Sequence, residues 1–374
     1  MHDGRGAPLP DAIGRVVLDL AGSPIRGLPG PPAEEWSDSG WIELVAACVH
    51  HRLLGQLTEA VQQRQWSLGA AQHTHLEQRM MTWLVNALQV ERVALRSAEV
   101  LQRAGVDFRV VKGVALAHLI YDDPSVRLFS DLDLLVPAQQ LDQAVQMLRE
   151  SLGAVEPVAE VRPGFAREFG KEVMLRVGRV EVDLHRTFVA GPFSGGIDID
   201  ELLSERAEVE VGGARLAVLG PNGRILHACY NTALGDHPVR LGSVHDLLRM
   251  TSRPDWSPDL VLATATRWLG RAVLQRAASL AVAVGGSDSP GPLHGFAAIA
   301  VPRRERWYLH SYLTSARGYT RELAGLAAIP GVRARLRYLR ALVRPSDEYL
   351  RSRGWTERGH VRRAVQRIGG RNRG

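Results

Sequence analysis

The chain has 374 residues, 45% of them hydrophobic, enough for two or three packed units of an ordinary globular protein. Its formal charge of +6 is modest for that length, and only two cysteines, Cys48 and Cys229, occur, which argues against a disulfide scaffold or a cysteine-built zinc site. No apolar run reaches the length of a membrane span, and the start lacks a basic region followed by an unbroken apolar core, so the expectation is a cytoplasmic protein.

Residues 1–39 are rich in Gly and Pro, as in "AGSPIRGLPGPPAEEW", and predict a flexible arm. From 40 to 105 apolar residues recur three and four apart, a helical region that stops at Gly105. Its His50/His51 and His73/His75 pairs have no carboxylate set at ligand spacing and read as capping or surface residues. Between 106 and 218 the texture changes to short apolar runs. "DFRVVKG" predicts a strand, "GVALAHLIYDD" a helix and "FSDLDLLV" a second strand. "AQQLDQAVQMLRESLG" predicts an amphipathic helix with Leu141, Ala144, Val145 and Leu148 on one face and Gly153 past its end. "EVMLRVGRVEVDLHR" has the alternation of a hairpin turning near Gly178.

Residues 219–374 read as helical again, with a loop at "SLAVAVGGSDSPGPLHGF". Helical spacing lets His227, Asn231 and Arg240 line one side of a cleft. The end is a basic tail in which many arginines meet only Glu357. Such a tail can hold a polyanion through phosphate contacts, but a solvated helix with a frayed end is the commoner case. Beyond Trp355 it has no aromatic residue for bases to stack on, which argues against nucleic acid as a partner.

Two carboxylates, Asp131 and Asp133, stand one residue apart in the second strand of this middle region. Alternation places them on one face, about 6.6 Å apart, with Leu132 and Leu134 on the other. An unpaired buried carboxylate is costly and two like charges repel, so either a cation sits there or the strand end is open to water. In the second arm of the hairpin, Val180, Val182 and Leu184 face one way and Glu181, Asp183 and His185 the other. If the two strands are neighbours, Asp183 completes a three-carboxylate cluster. Oxygen ligands of this kind suit magnesium or manganese more than zinc, and such ions serve phosphate chemistry. No Walker-type loop or G-x-G-x-x-G is present, so phosphates must be held otherwise. Gly113, at a strand-to-helix junction, would let backbone amides approach them.

The pattern "VVKGVALAHLIYDDPSVRLFSDLDLLV", followed by "VEVDLH" and "ILHACYNTALGDHPVRLGSVHDLLRM", resembles a family of uncharacterised bacterial nucleotidyltransferases within the polymerase-β-like superfamily. The resemblance spans roughly residues 40 to 350 and implies an α+β fold, a small mixed sheet with helices, flanked by helical segments on both sides. It implies an enzyme that moves a nucleoside monophosphate from a nucleoside triphosphate, ATP foremost, to an acceptor and releases pyrophosphate. The acceptor, a small molecule, peptide or protein, is not indicated. Carried onto this sequence, Asp131 and Asp133 would be the metal pair for Mg2+ or Mn2+, and Asp183 the third carboxylate. Gly113 would meet the triphosphate. The superfamily's Gly-Ser or Gly-Gly is replaced here by Lys112-Gly113-Val114, so Lys112, Arg127 and Ser130 stand as its substitutes, two cations and a hydroxyl donor. Arg127 could instead pair with Asp122 or Asp123 on the surface. His185 would contact substrate or accept a proton, or else bond a neighbouring strand. The competing class is a module that binds nucleotide without turning it over.

Overall fold

The computed structural model describes residues 9–33, 35–314, 325–329 and 331–354. The arginine-rich tail beyond Gly354 lies outside the described residues. Five helices come first: α1 (Asp11–Ala21), α2 (Ser23–Arg26), α3 (Asp38–His51), α4 (Leu54–Gln63) and the 34-residue α5 (Ala70–Arg103). The first of these corrects the expectation of a flexible arm. Ile13, Val17, Leu20 and Ala21 recur at helical spacing and are buried, so the segment is held by packing although Gly and Pro surround it.

A six-stranded sheet follows. Its strands are β1 (Arg109–Val111), β2 (Asp131–Leu135), β3 (Glu172–Val177), β4 (Val180–His185), β5 (Ala207–Val211) and β6 (Ala214–Val218), in the order β3-β4-β2-β1-β6-β5. The central β2 pairs antiparallel with β1 and parallel with β4, and β1 pairs parallel with β6. Helix α6 (Gly113–Ile120) links β1 to the approach to β2. Helix α7 (Leu141–Leu152) buries Leu141, Ala144, Val145 and Leu148 and ends at Gly153, whose φ of +64° suits a residue without Cβ. The β3–β4 turn places Gly178 at φ +62°, as its position between the alternating runs predicts. The β5–β6 hairpin was not expected from the sequence. Its turn, Gly212-Gly213, has both glycines at positive φ, and only two residues of each strand are buried, so it shows little apolar signal.

After α8 (Phe165–Glu168) and α9 (Ile199–Ser204), which interrupt the sheet region, the chain builds α10 (Pro221–Leu234), α11 (Leu241–Thr251), α12 (Pro258–Arg267) and α13 (Arg271–Gly285). Two hydrophobic clusters result. One joins Leu132 and Leu134 on one face of β2 to α5 and α7. The other joins Val111 and Leu135, whose side chains leave the opposite face, to α1, α3, α4 and α10–α13. Asp131 and Asp133 share that second face, so the acids point toward the junction of sheet and helices. No helix among the described residues is long and apolar enough to cross a membrane. Cys48 and Cys229 are buried free thiols.

Helix α1 is tied to α11 by His245, whose Nδ1 lies 3.2 Å from the Leu20 carbonyl and whose ring stacks on Tyr121 at 5.9 Å. Burial, against the charge of Asp246, holds this imidazole down to about 4. The unfolded chain therefore takes up a proton near pH 6.5 that the folded chain refuses until about pH 4, and stability falls as pH drops through that window. At pH 5 the loss from this one residue is about 2 kcal/mol relative to neutral pH. Urea unfolding of wild type and His245→Asn at pH 7 and pH 5 should show a smaller acid loss in the variant. Equal losses would assign the acid sensitivity to other groups.

Candidate active site

Asp133 sits in the middle of β2, between β1 and β4, and both neighbours bring polar groups to it. In the β1–β2 register Val111 opposes Asp133, and the next residue reaches across: Lys112 Nζ lies 2.5 Å from Asp133 Oδ1. On the other side β4 runs parallel and sets Asp183 beside Asp133 and His185 beside Leu135. His185 Nε2 lies 2.6 Å from the same Oδ1. The hairpin pairs Glu172 with His185, and Nδ1 of the ring is 2.9 Å from Glu172 Oε2. Lys171 Nζ is 2.7 Å from that oxygen. His185 thus bridges β2 and β3 and is enclosed, only 2% exposed.

These contacts split the acids electrostatically. Burial alone would raise Asp133, but the Lys112 ammonium and then His185 hold it well below the usual carboxylate range. Glu172 is brought down to about 2 against its burial by His185 and Lys171. Asp183 goes the other way: burial, then the charge of Glu172, pushes it up to about 7. Its Oδ1 is buried without a hydrogen-bond partner. Ligand atoms of Asp133, Asp183 and His185 all lie within 4.8 Å of one another. Asp131 stands outside this group, half-buried at the start of β2, with Ser130 exposed just before it.

The strand-to-helix junction is tight. Lys112 has φ +52° and ψ −127°, a region disfavoured for any residue with a Cβ. Gly113 is buried, and a Cβ there would come within 2.9 Å of Phe129 Cβ, so packing accounts for this glycine directly. From α10, His227 faces the same region and lines a small cavity together with Lys112. Burial first, then the nearby Lys112 ammonium, keeps that ring well below its ordinary value.

Arg127 is engaged elsewhere. Its guanidinium holds Asp246 on α11 through Nη2–Oδ2 at 2.8 Å and Nε–Oδ1 at 3.4 Å, and the Tyr121 hydroxyl donates to the same Oδ1 at 2.6 Å. The sequence expectation of a surface pair with Asp122 or Asp123 is replaced by this buried clasp. Those two aspartates are exposed, whereas Asp246 lies where Arg127 is already desolvated. Asn231 and Arg240 line a small cavity with Arg127 and Asp246, while His227 lines the one beside Lys112. The expected row of His227, Asn231 and Arg240 is therefore divided between two places.

Residues 37–286 match the family of proteins described as uncharacterised nucleotidyltransferase. The chain belongs to that family. No curated protein matches it. Among solved structures, a protein described as an antigenic nucleotidyltransferase-like protein from Paracoccidioides brasiliensis is similar at 16% identity and a TM-score of 0.31. That alignment covers 53% of this chain and 91% of the other.

A divalent cation is the group that nucleotidyltransferase chemistry calls for, and the residues present fit one. Asp133 and Asp183 offer oxygen donors from adjacent strands, and the unpartnered Asp183 Oδ1 is a buried acceptor that a cation would satisfy. Both ring nitrogens of His185 face carboxylates, so oxygen rather than nitrogen is what this nucleotidyltransferase presents. Of the residues expected from sequence, Asp133, Asp183, His185 and Lys112 come together, and Asp131 and Ser130 lie at the open end of β2. Gly113 is enclosed by Phe129, and Arg127 is held by Asp246. Glu172 was missed, although counting outward from the two-residue turn at Gly178 and Arg179 pairs it with His185. Tyr121 and Asp246 were missed as site-supporting residues, and their separation along the chain leaves no local signal for the contact.

Proposed function

We propose that this chain transfers a nucleoside monophosphate group from a nucleoside triphosphate, ATP foremost, to an acceptor, with Mg2+ or Mn2+ held by Asp133 and Asp183. The observation that carries the reading is the buried, unpartnered Asp183 Oδ1 set beside Asp133 by the β2–β4 register. In this reading the acceptor's hydroxyl oxygen bonds to the α-phosphorus and its proton passes to water, while the bond from that phosphorus to the bridging oxygen breaks and pyrophosphate leaves. The bound ion would neutralise triphosphate charge and favour the developing charge of the transition state. In this reading Ser130, exposed, and Asp131, half-buried at the start of β2, would meet the incoming nucleotide, and Lys112 would supply the cation for its phosphates. His185 keeps Asp133 oriented from within the sheet, and the Arg127–Asp246 clasp holds the segment that leads into β2. Both act by positioning.

Ligands that bind only the folded state raise its stability, by about 2.7 kcal/mol at a hundredfold excess over the dissociation constant. Mn2+ with a nucleoside triphosphate is expected to raise the melting temperature more than the sum of either alone. Asp131→Asn/Asp183→Asn should lose that synergy and remain folded, since Asp133 keeps its partners. An unchanged shift in the double variant would remove Asp131 and Asp183 from the site. Transfer of an α-phosphate label to a component of a cell extract then identifies the acceptor.

A further inference from the structure

One half of the cation site described above, Asp133, already holds a cation of the chain itself. Lys112 Nζ and His185 Nε2 both approach Asp133 Oδ1, at 2.5 Å and 2.6 Å, and two donors use the lone pairs of a carboxylate oxygen. Asp133 is 3% exposed, so it stays charged only while a positive group is against it. A divalent ion arriving at Asp133 and Asp183 would meet the ammonium at close range and be repelled. Yet the ammonium is a point charge on a long stem, able to change partners without moving the backbone. Its residue is also one for which the fold accepts a disfavoured backbone, φ +52° between β1 and α6.

Resting on the nucleotidyl-transfer reading, we propose that Lys112 is the resident counter-ion of the metal site. In the nucleotide-free protein it neutralises Asp133 and keeps out bare divalent ions. When an ion arrives together with a triphosphate, the ammonium transfers from the carboxylate to the phosphate oxygens, so that ion and nucleotide enter as a pair. The exchange would leave neither group bare: the ion would take the place of the ammonium on the acids, its extra charge met by Asp183, and the phosphates would receive the ammonium. Metal and nucleotide are thereby coupled, each raising the affinity of the other by the same factor.

The test is Mn2+ binding, read from the loss of the free-ion paramagnetic resonance signal. It compares wild type, Lys112→Met and Lys112→Gly, with and without an α,β-methylene nucleoside triphosphate that cannot be turned over. Lys112→Gly suits the positive φ and keeps the fold even if Lys112→Met does not. Wild type should bind Mn2+ weakly alone and tightly with the nucleotide. Both variants should bind Mn2+ alone about tenfold more tightly, with the gain from nucleotide reduced by a similar factor. Mn2+ affinity that is no higher in either variant, with binding in the presence of nucleotide intact, overturns the inference about Lys112 and leaves the metal site standing. Absence of Mn2+ binding in all three proteins, with and without nucleotide, overturns the metal-dependent reading and this inference with it.

Discussion

Asp246→Ala is expected to destabilise the protein by about 3–5 kcal/mol, the usual cost of removing one partner of a buried ion pair. Arg127 and Asp246 are 8% and 5% exposed, and Tyr121 donates to the same carboxylate. The substitution leaves a buried hydroxyl without its acceptor and a buried guanidinium with only the Leu128 carbonyl, 3.3 Å from Nη1. Replacing the whole cluster should cost far less, because desolvation of two charges offsets most of their attraction. Arg127→Met/Asp246→Leu/Tyr121→Phe is therefore expected to recover much of the loss. Urea unfolding of the single and triple variants measures both effects. A single variant within 1 kcal/mol of wild type would mean that the contact does not hold the fold together.

The second large effect concerns turnover. Asp183→Asn is nearly isosteric and removes a carboxyl that burial and Glu172 already push up to about 7, so the folded protein should be no less stable. Its charge, however, is the one set beside Asp133 on the neighbouring strand, where a transferring phosphoryl group would need it. Loss of such an element lowers turnover about a hundredfold or more. The expected signature is a folded variant whose pyrophosphate release, in extract supplying the acceptor, falls much further than its affinity for nucleotide. Wild-type turnover in Asp183→Asn would move the role to Glu181 or His185. Tight nucleotide binding by the wild type with no pyrophosphate release in any extract would favour a binding module over an enzyme.

What was legible in the sequence depended on how local its cause was. Helix α7 and the β3–β4 hairpin follow from periodicity and a glycine in reach of a few residues, and both stand as read, down to the four buried positions of α7. The acids were legible for the same reason, since charges in an apolar alternating run contradict their neighbours. Asp183 needed one further step, the adjacency of β2 and β4, which only the sheet order supplies. Helix α1 was hidden because its stability comes from burial against α3 and α11, while its own flanks carry helix breakers. The partners of Lys112 and Arg127 were hidden because a long cation can reach any acid that the fold brings near. Arg127 found Asp246, 119 residues away. Gly113 invited a ligand reading from its place in the sequence, and the side chain of Phe129 adds a packing reason for the glycine that no local pattern could show.

The clasp between Arg127 and α11 also bears on how this nucleotidyltransferase can be taken apart. A piece ending at residue 218 would contain every strand among the described residues, with Asp131, Asp133 and Asp183, and would look complete on paper. It would also contain Arg127 and Tyr121 with their acceptor cut away, and it would bare Val111 and Leu135, the sheet residues that pack into the helical cluster. Such a fragment is expected not to fold on its own. The unit expected to fold, and so the one to express, is the sheet together with α10 and α11, the helices that close over its acidic face.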